Sequence, residues 1–247
     1  MISNSTDLSL QHINKIKNEL IIEGFSIHNY IYTKQEVDRM RNILDAFQKK
    51  DQPDDIKKVY AIRNLLKAVP ELKELLLNCN IKTILNHLGD DFHLTKALYF
   101  NKPALSNWYV TWHQDVSIHV KEKTEDYLYH GWTNKKGFIG VIPPLKISLN
   151  TVTIRIHLDD TTQQNGGLNI IPGSNKQVLD DQKIQLISQN SISKNCEVLA
   201  GGIQLMKPLL LHSSTKSQSK KDRRVIHLEF NNIELPNGLK WAEREEI

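Results

Sequence analysis

The sequence predicts a mainly β fold, a jelly roll preceded by helices. Up to residue 92, apolar residues recur at steps of three and four, which is typical of amphipathic helices. From residue 93 to 232 the chain breaks into short segments rich in Val, Ile, Thr and aromatic residues, separated by turns. Many short strands without intervening helices indicate a sandwich or barrel, and their number suits a jelly roll. We expect both parts to form one domain over residues 1–247.

The helical part has predictable starts and stops. The first apolar stripe ends before Gly24, a residue that commonly terminates helices. Thr33 and Glu36 have the spacing of a capping box, which predicts the start of a second helix. We expect further helices in the segment that contains 59–66 and in the segment that follows Pro70, a proline tolerated in a first helical turn.

The strands are predicted from alternation and from the turns that bound them. Turn signals are Asn165–Gly167, Pro172–Ser174 and Gly201–Gly202. The predicted strands are Phe25–Tyr32, His93–Asn101, Tyr109–His113, Val152–Leu158, Leu168–Ile171, Glu197–Leu199, Ile203–Met206 and Val225–Phe230. The stretch Lys121–Leu149 is predicted to be a long loop. Long loops are often lids or binding loops, and a solvated insertion is the alternative.

Composition excludes several classes of protein. The net charge of +4 is mild for 247 residues and neither requires nor excludes an acidic partner. Two cysteines are too few for a disulfide scaffold or a cysteine-rich zinc site. We see no signal pattern at the start of the chain and no apolar run of membrane-spanning length. We therefore expect a cytoplasmic protein that binds neither nucleic acid nor a membrane.

Two His-x-Asp patterns are candidates for a metal site. On a strand, residues two apart point to the same side, so His113 and Asp115 can offer an imidazole nitrogen and a carboxylate oxygen to one ion. One more histidine from a distant strand would complete a facial triad that leaves coordination positions open. The chain has 10 histidines, and His157 with Asp159 forms a second such pattern, so the spacing alone does not choose between them.

The C-terminal third favours the first pattern. His212 ends an apolar run, and Arg223 follows eleven residues later at the start of a predicted strand. An arginine on a strand beside the metal strand could bind a dicarboxylate through its planar guanidinium, and Ser214 could add a hydroxyl. A solvated basic turn is the alternative, which we prefer for the neighbouring lysines.

Taken together and in order, these motifs resemble the phytanoyl-CoA dioxygenase family of Fe(II)- and 2-oxoglutarate-dependent oxygenases. The likeness runs from about Tyr99 to Phe230. It rests on Asn107–Asp115, Arg155–Asp160, Asn165–Leu168, Ile171–Ser174 and the block from His212 to Arg223.

The resemblance implies a double-stranded β-helix with iron bound by His113, Asp115 and His212. It makes Arg223 the residue that binds the distal carboxylate of the cosubstrate, with Ser214 beside it. It implies that His157 and Asp159 are not metal ligands, and we expect His227 to pack within its strand.

Two further basic residues are candidate members of the cosubstrate site. Arg155 replaces an aromatic residue of well-known relatives, and as an inward arginine it needs a partner. That partner is cosubstrate, an anionic substrate or a buried carboxylate. Arg63 falls near the position of a basic residue that the family places by the cosubstrate.

The expected reaction couples 2-oxoglutarate and O2 to the hydroxylation of a small molecule, with succinate and CO2 as products. Asp115 argues against halogenation, because halogenating relatives lack this carboxylate. Two other classes remain: a non-oxidative metal barrel of cupin type, acting as an isomerase or a ligand-binding protein, and a binding module without activity. If Lys121–Leu149 is a lid, Tyr127, Tyr129 or Trp132 should line the substrate cavity.

Overall fold

The computed structural model describes residues 8–51, 60–104, 108–135 and 137–247. The helices are α1 (Leu10–Ile22), α2 (Lys34–Asp51), α3 (Leu65–Ala68), α4 (Lys73–Leu76), α5 (Cys79–Leu88), α6 (Leu145–Asn150) and α7 (Asp181–Asn190). The strands are β1 (Phe25–His28), β2 (Tyr60–Arg63), β3 (His93–Lys102), β4 (Val110–His113), β5 (Ile118–Val120), β6 (His130–Lys135), β7 (Phe138–Ile142), β8 (Val152–His157), β9 (Leu168–Ile170), β10 (Lys194–Asn195), β11 (Ile203–Met206), β12 (His212–Ser214), β13 (Arg223–Asn231) and β14 (Glu245–Glu246).

These strands form three antiparallel sheets. The large sheet has the order β1-β11-β8-β13-β3-β14, and β2 also pairs with β3. The small sheet has the order β10-β9-β12-β4, and the third sheet has the order β5-β7-β6. This mainly antiparallel arrangement with helices at the N-terminus is the fold class that the sequence predicted.

The large sheet is buried on both faces, but the two faces differ in chemistry. Along β8, Ile154 and Ile156 are fully buried in the main hydrophobic core. The residues that alternate with them are Thr153, Arg155 and His157, and they are also buried. Because successive strand residues point to opposite faces, one face of this strand is apolar and the other is polar. The polar face is the side on which a site can form.

Helices cover the apolar face. Ile16 of α1, Met40 and Leu44 of α2, and Ile81 and Ile84 of α5 are all fully buried in the same cluster as the large sheet. Burying each such side chain stabilises the fold by roughly 1.5–3 kcal/mol relative to leaving it in water. The helical N-terminal part is therefore the cover of the sheet. None of the helices in the described ranges is both long and apolar enough to cross a membrane.

The predicted capping box is present at the start of α2. The backbone N–H of Thr33 donates to Glu36 Oε2 at 2.7 Å, and the backbone N–H of Glu36 donates to Thr33 Oγ1 at 3.2 Å. Each side chain thus satisfies a backbone donor that the first helical turn leaves unpaired.

The prediction of a helix through 59–66 is wrong for most of its length. Tyr60–Arg63 is strand β2, whose Ile62 lies opposite Tyr99 of β3. Ile62 is buried between the exposed Ala61 and Arg63, so the burial there has the period of a strand. Helix α3 begins at Leu65, and residues 52–59 of the predicted segment lie outside the described residues.

Two further predictions from sequence need correction. Glu197–Leu199 is not a strand, because only Val198 pairs, in an isolated bridge with Thr161. Helix α7 was not expected, since none of its residues is buried and it therefore has no apolar stripe that marks it.

Lys121–Leu149 is not a loop. It contains β6, β7 and most of α6, and β7 pairs with both β5 and β6. Tyr129 is buried in a cluster with Leu235, Leu239 and Trp241 from the end of the chain. Strand β6 was missed because it is almost entirely exposed and lacks apolar alternation.

One arginine at the start of the central strand β13 joins the large sheet to α2. Arg224 Nε and Nη2 each lie 2.9 Å from an oxygen of Asp159, which follows β8, and Nη1 lies 3.0 Å from both oxygens of Asp45 in α2. Arg41 of α2 adds an ion pair to Asp159 at 3.2 Å. A planar guanidinium suits two carboxylates in this way because its donors are fixed in a fork.

We therefore expect Arg224→Ala to lower the free energy of unfolding by about 1.5–3 kcal/mol, because it removes charge-assisted hydrogen bonds from a half-buried site. Urea unfolding followed by circular dichroism measures this change. Lys221→Ala is the matched control, since Lys221 is exposed three residues earlier. Equal stability of the two variants would contradict a structural role for Arg224.

Candidate metal centre

Backbone pairing brings the two distant histidines together. Strands β4 and β12 run antiparallel with His113 directly across from His212. The same pairing places Ile170 of β9 across from His212 on its other side. Asp115 lies just beyond the end of β4, and its backbone N–H donates to the carbonyl of Pro208 at 2.9 Å. All three predicted metal ligands are thereby held at one end of the small sheet.

Their side chains converge on one point. The Nε2 atom of His113 lies 3.8 Å from Asp115 Oδ1, and the Nε2 atom of His212 lies 3.7 Å from Asp115 Oδ2. The two imidazole rings are 4.2 Å apart between centroids. One ligand atom from each residue lies within 4.8 Å of the others, and this is the only such group of metal-ligating side chains in the part of the chain that the structure describes.

Hydrogen bonds fix which nitrogen of each ring is available. His113 Nδ1 lies 2.8 Å from the carbonyl of Thr111, and His212 Nδ1 lies 2.7 Å from the carbonyl of Leu210. A carbonyl only accepts, so each Nδ1 carries the proton and donates it. Each Nε2 therefore presents its lone pair to the centre. A hydrogen bond from the other ring nitrogen to a carbonyl is usual for a metal-binding histidine.

The protonation states also suit a metal. Burial lowers the pKa of His212 to about 4, although Asp115 opposes this shift. Burial would raise the pKa of Asp115, but the surrounding histidines, His212 foremost, lower it to about 2. At neutral pH the site offers neutral imidazole and an ionised carboxylate. Two imidazoles and one carboxylate are the donor set of non-haem Fe(II) sites, and the residues here fit it.

Gln114, between the two ligands, was not singled out from sequence. It is buried, and its side-chain amide donates to the carbonyl of Gln177 at 3.0 Å, while its oxygen accepts from the backbone N–H of Leu179 at 2.8 Å. These bonds fix the turn that carries Asp115. The signal for this role was its place between two ligands, where a side chain must point away from the metal.

The rival His-x-Asp pattern is engaged elsewhere. His157 is fully buried and its Nδ1 lies 2.6 Å from Thr161 Oγ1. Asp159 pairs with Arg224 and Arg41, as described above. A residue whose carboxylate already binds two arginines has no free oxygen to offer a metal.

The centre opens into a cavity of about 570 Å³ between the large and small sheets. His113, Asp115 and His212 line it. The four residues that the sequence analysis assigned to the cosubstrate also line it: Arg223, Ser214, Arg155 and Arg63. The structure thus brings together every predicted site residue, with Arg63 exposed at the rim and the other three buried.

Two of these arginines are buried without an acidic partner. Arg223 is 5% exposed and Arg155 is 8% exposed, and neither forms an ion pair among the described residues. Burial, followed by the repulsion of Arg155, lowers the pKa of Arg223 to about 9. Burial also lowers the pKa of Arg155, against the attraction of Asp115. Among residues 8–51, 60–104, 108–135 and 137–247, no buried carboxylate forms an ion pair with Arg155.

His227 is buried within β13 and is not part of the metal-ligating group, and its side chain also has a place in the cavity that the sequence analysis did not foresee. His227 lines the cavity, with Nε2 at 3.0 Å from Glu229 Oε1 and Nδ1 at 3.2 Å from Arg155 Nη1. Glu229 in turn pairs with Lys96 at 2.8 Å. Sequence could have indicated this row, because Arg223, His227 and Glu229 are separated by even numbers and so share one face of β13.

The expected aromatic lining is also wrong. Tyr127 is 89% exposed, Tyr129 packs against the end of the chain, and neither they nor Trp132 belong to the described residues that line the cavity. Lys135, at the end of β6, does line it. The guanidinium of Arg63 lies over the ring of Phe138, with 5.9 Å between Arg63 Cζ and the ring centroid.

Comparison with known proteins supports this picture. The family model of phytanoyl-CoA dioxygenase matches residues 22–225. A search of curated proteins finds no match.

Among solved structures, the non-haem α-ketoglutarate-dependent carbocyclase SnoK from nogalamycin biosynthesis is 15% identical, with 92% of this chain and 85% of that one covered and a TM-score of 0.69. EctD from S. alaskensis, solved with 2-oxoglutarate and 5-hydroxyectoine, is 16% identical, with 94% and 79% covered and a TM-score of 0.68. HygX from Streptomyces hygroscopicus, solved with nickel and 2-oxoglutarate, is 15% identical, with 88% and 86% covered and a TM-score of 0.63. At this identity the likeness shows a shared fold.

We expect His113→Ala, Asp115→Ala and His212→Ala each to abolish tight binding of Fe(II) or Mn(II), because each removes one of three donors. Anaerobic calorimetric titration of the metal measures the loss, and circular dichroism checks that the variants fold. His157→Gln is the matched control, since it changes a buried histidine outside the centre. Loss of metal binding in that control with retention in His113→Ala would reverse the choice between the two patterns.

Proposed function

Because the chain belongs to the phytanoyl-CoA dioxygenase family, with the family model spanning residues 22–225, we propose that it is an Fe(II)- and 2-oxoglutarate-dependent dioxygenase. We propose further that it hydroxylates a small-molecule substrate and releases succinate and CO2. One observation carries this function: a three-donor metal site lines the same cavity as a buried arginine, Arg223, that has no acidic partner among the described residues.

His113, Asp115 and His212 would hold the iron. A three-residue facial site leaves positions free for cosubstrate and O2, which a closed four-residue site does not. Bound iron and 2-oxoglutarate supply the oxidative decarboxylation, and with it the oxidising equivalent that attacks a C–H bond. The protein supplies the geometry that holds the metal, cosubstrate and substrate beside one another.

Arg223 and Ser214 are the proposed contacts for the distal carboxylate of 2-oxoglutarate. Ser214 lies on β12 two residues from the metal ligand His212, and both Ser214 and Arg223 line the cavity. A carboxylate would neutralise Arg223, whose lowered pKa reflects the cost of burying that charge without a partner. Lys102, across from Arg223 in β3, is buried and its Nζ donates to the carbonyl of Thr215 at 2.7 Å.

Arg63 and Arg155 are also proposed to take part in ligand binding in this cavity, at two different positions. Arg63 stands at the rim on β2, where it can meet a molecule that enters the cavity. Arg155 is deep in the wall and faces the centre of the cavity beside His227.

The alternatives explain less of this site. A cupin-type isomerase or ligand-binding barrel needs the metal ligands but gives no reason to bury Arg223 beside them. A module that has lost activity gives no reason to keep three donors poised with the correct ring nitrogens.

The direct test is turnover. The Fe(II)-loaded protein should convert 2-oxoglutarate to succinate in air, slowly without substrate and faster when a metabolite extract contains the true substrate. Succinate measured by mass spectrometry, with Asp115→Ala as the inactive control, checks this. Absence of succinate formation above that control under both conditions would refute the dioxygenase assignment.

Arg223→Ala should raise the Michaelis constant for 2-oxoglutarate about tenfold or more, because a charge-assisted bidentate contact is worth on the order of 1.5–3 kcal/mol. Metal affinity should be unchanged. Arg224→Ala is the matched control one residue away, and its effect should be much smaller because Arg224 points to Asp159 and Asp45. Equal effects of both variants would mean that only the general positive field matters.

A further inference from the structure

We propose that the prime substrate carries a carboxylate, and that Arg155 binds it. This inference rests on the proposed function, because it assigns a ligand to the one buried cation whose charge remains unbalanced once the metal and the cosubstrate are bound. It names the class of substrate that the cavity is built to take.

The first support is that Arg155 is buried without an anionic partner in the part of the chain that the structure describes. It is 8% exposed, and its Nε has no hydrogen-bond partner there. Its Nη1 contacts His227 Nδ1 at 3.2 Å, and an imidazole does not neutralise a guanidinium. Arginine keeps its proton in proteins, so the charge itself stays in the wall of the cavity. A buried cation of this kind is costly unless a ligand supplies the counter-charge.

The second support is that no described carboxylate of the cavity is free for it. Of the two that line the cavity, Glu229 lies 2.8 Å from Lys96 Nζ and 3.0 Å from His227 Nε2. Asp115 directs its oxygens to His113 and His212. The counter-charge of Arg155 must therefore come from a bound molecule.

The cosubstrate does not supply it in full. The buried cations of the cavity are Lys96, Arg155 and Arg223, and the carboxylates are Asp115 and Glu229. A divalent metal adds two positive charges and 2-oxoglutarate adds two negative ones. With the histidines counted as neutral, one positive charge is left over. Since Arg223 lies at the proposed distal end and Lys96 is already paired, that charge belongs to Arg155.

Strand register separates the two arginines. Arg155 lies across from His227, whereas Arg223 lies four residues further along β13, across from Lys102. A span of four strand residues is roughly 13 Å along the sheet. The two backbone positions are therefore far apart, although the side chains come close enough for the charge of Arg155 to lower the pKa of Arg223. We assign Arg223 to the cosubstrate and Arg155 to a second acid.

The entrance of the cavity is positively charged, like its interior. Arg63 and Lys135 line the rim, and neither forms an ion pair among the residues described. They come from β2 and β6, which belong to different sheets. A cleft lined with one sign of charge attracts ligands of the opposite sign and raises their rate of association.

The test uses binding and not turnover. The protein is loaded with Mn(II) and saturated with 2-oxoglutarate under nitrogen. Three acids are then titrated at constant ionic strength, each beside its neutral amide: formate with formamide, acetate with acetamide, and benzoate with benzamide. Thermal shift and calorimetry give the dissociation constants. At least one acid should bind about tenfold or more tightly than its amide, as a charge-assisted contact predicts.

Variants locate the contact. Arg155→Met should remove the preference for acid over amide, while the dissociation constant for 2-oxoglutarate changes less than about threefold. Arg155→Lys, which keeps the charge but not the fork, should restore part of the preference and shows that a poorly folding variant is not the cause. Arg223→Met should weaken 2-oxoglutarate instead, and Lys221→Met should change neither.

The outcomes separate this inference from the proposed function. Failure of the wild-type protein to bind 2-oxoglutarate counts against the proposed function. Binding of 2-oxoglutarate without any preference for acids over amides overturns the inference alone. The inference is also wrong if the preference survives Arg155→Met, or if that variant weakens 2-oxoglutarate as much as Arg223→Met, which would assign Arg155 to the cosubstrate.

Discussion

The antiparallel pairing of β4 with β12 is the interaction on which the site depends. It sets His113 directly across from His212, two residues that the chain separates by most of its β region. Directly opposed residues of antiparallel strands have side chains close enough to share a ligand. Carbonyls two residues before each histidine then hold the ring nitrogens in the orientation a metal requires. A slip of one residue in this register would turn one imidazole to the other face of the sheet and destroy the centre.

The two-faced large sheet supplies the rest of the cavity. Its apolar face packs on α1, α2 and α5, and the stability gained there offsets the burial of charge on the other face. The polar face carries a row of charged and polar side chains from β3, β8 and β13, which a hydrophobic core would exclude. Lys96, Glu229 and His227 satisfy one another within this row. Arg155 and Arg223 do not find such partners, which is why we assign them to ligands.

The adjacent residues Arg223 and Arg224 show how alternation divides stability from function. Arg224 points to the helical side, where it binds Asp159 and Asp45 and joins the sheet to α2. Arg223 points to the cavity and lacks an ion-pair partner among the described residues. The same chemical group is thus structural at one position and available to a ligand at the next, because successive strand residues face opposite ways.

The sequence by itself determined the fold class and the family, and it pointed to the three candidate metal ligands that the structure brings together, because ordered motifs and turn residues are local signals. It also placed Arg223, Ser214, Arg155 and Arg63 among the candidates that the structure brings to one cavity. Only the tertiary structure decided which strands pair and which side chains contact one another. The long segment after the metal ligands became a sheet through pairing of β7 with β5 and β6, and His227 became a cavity residue through contacts with Arg155 and Glu229. Such contacts join side chains far apart in the chain, and local periodicity contains no information about which of them meet.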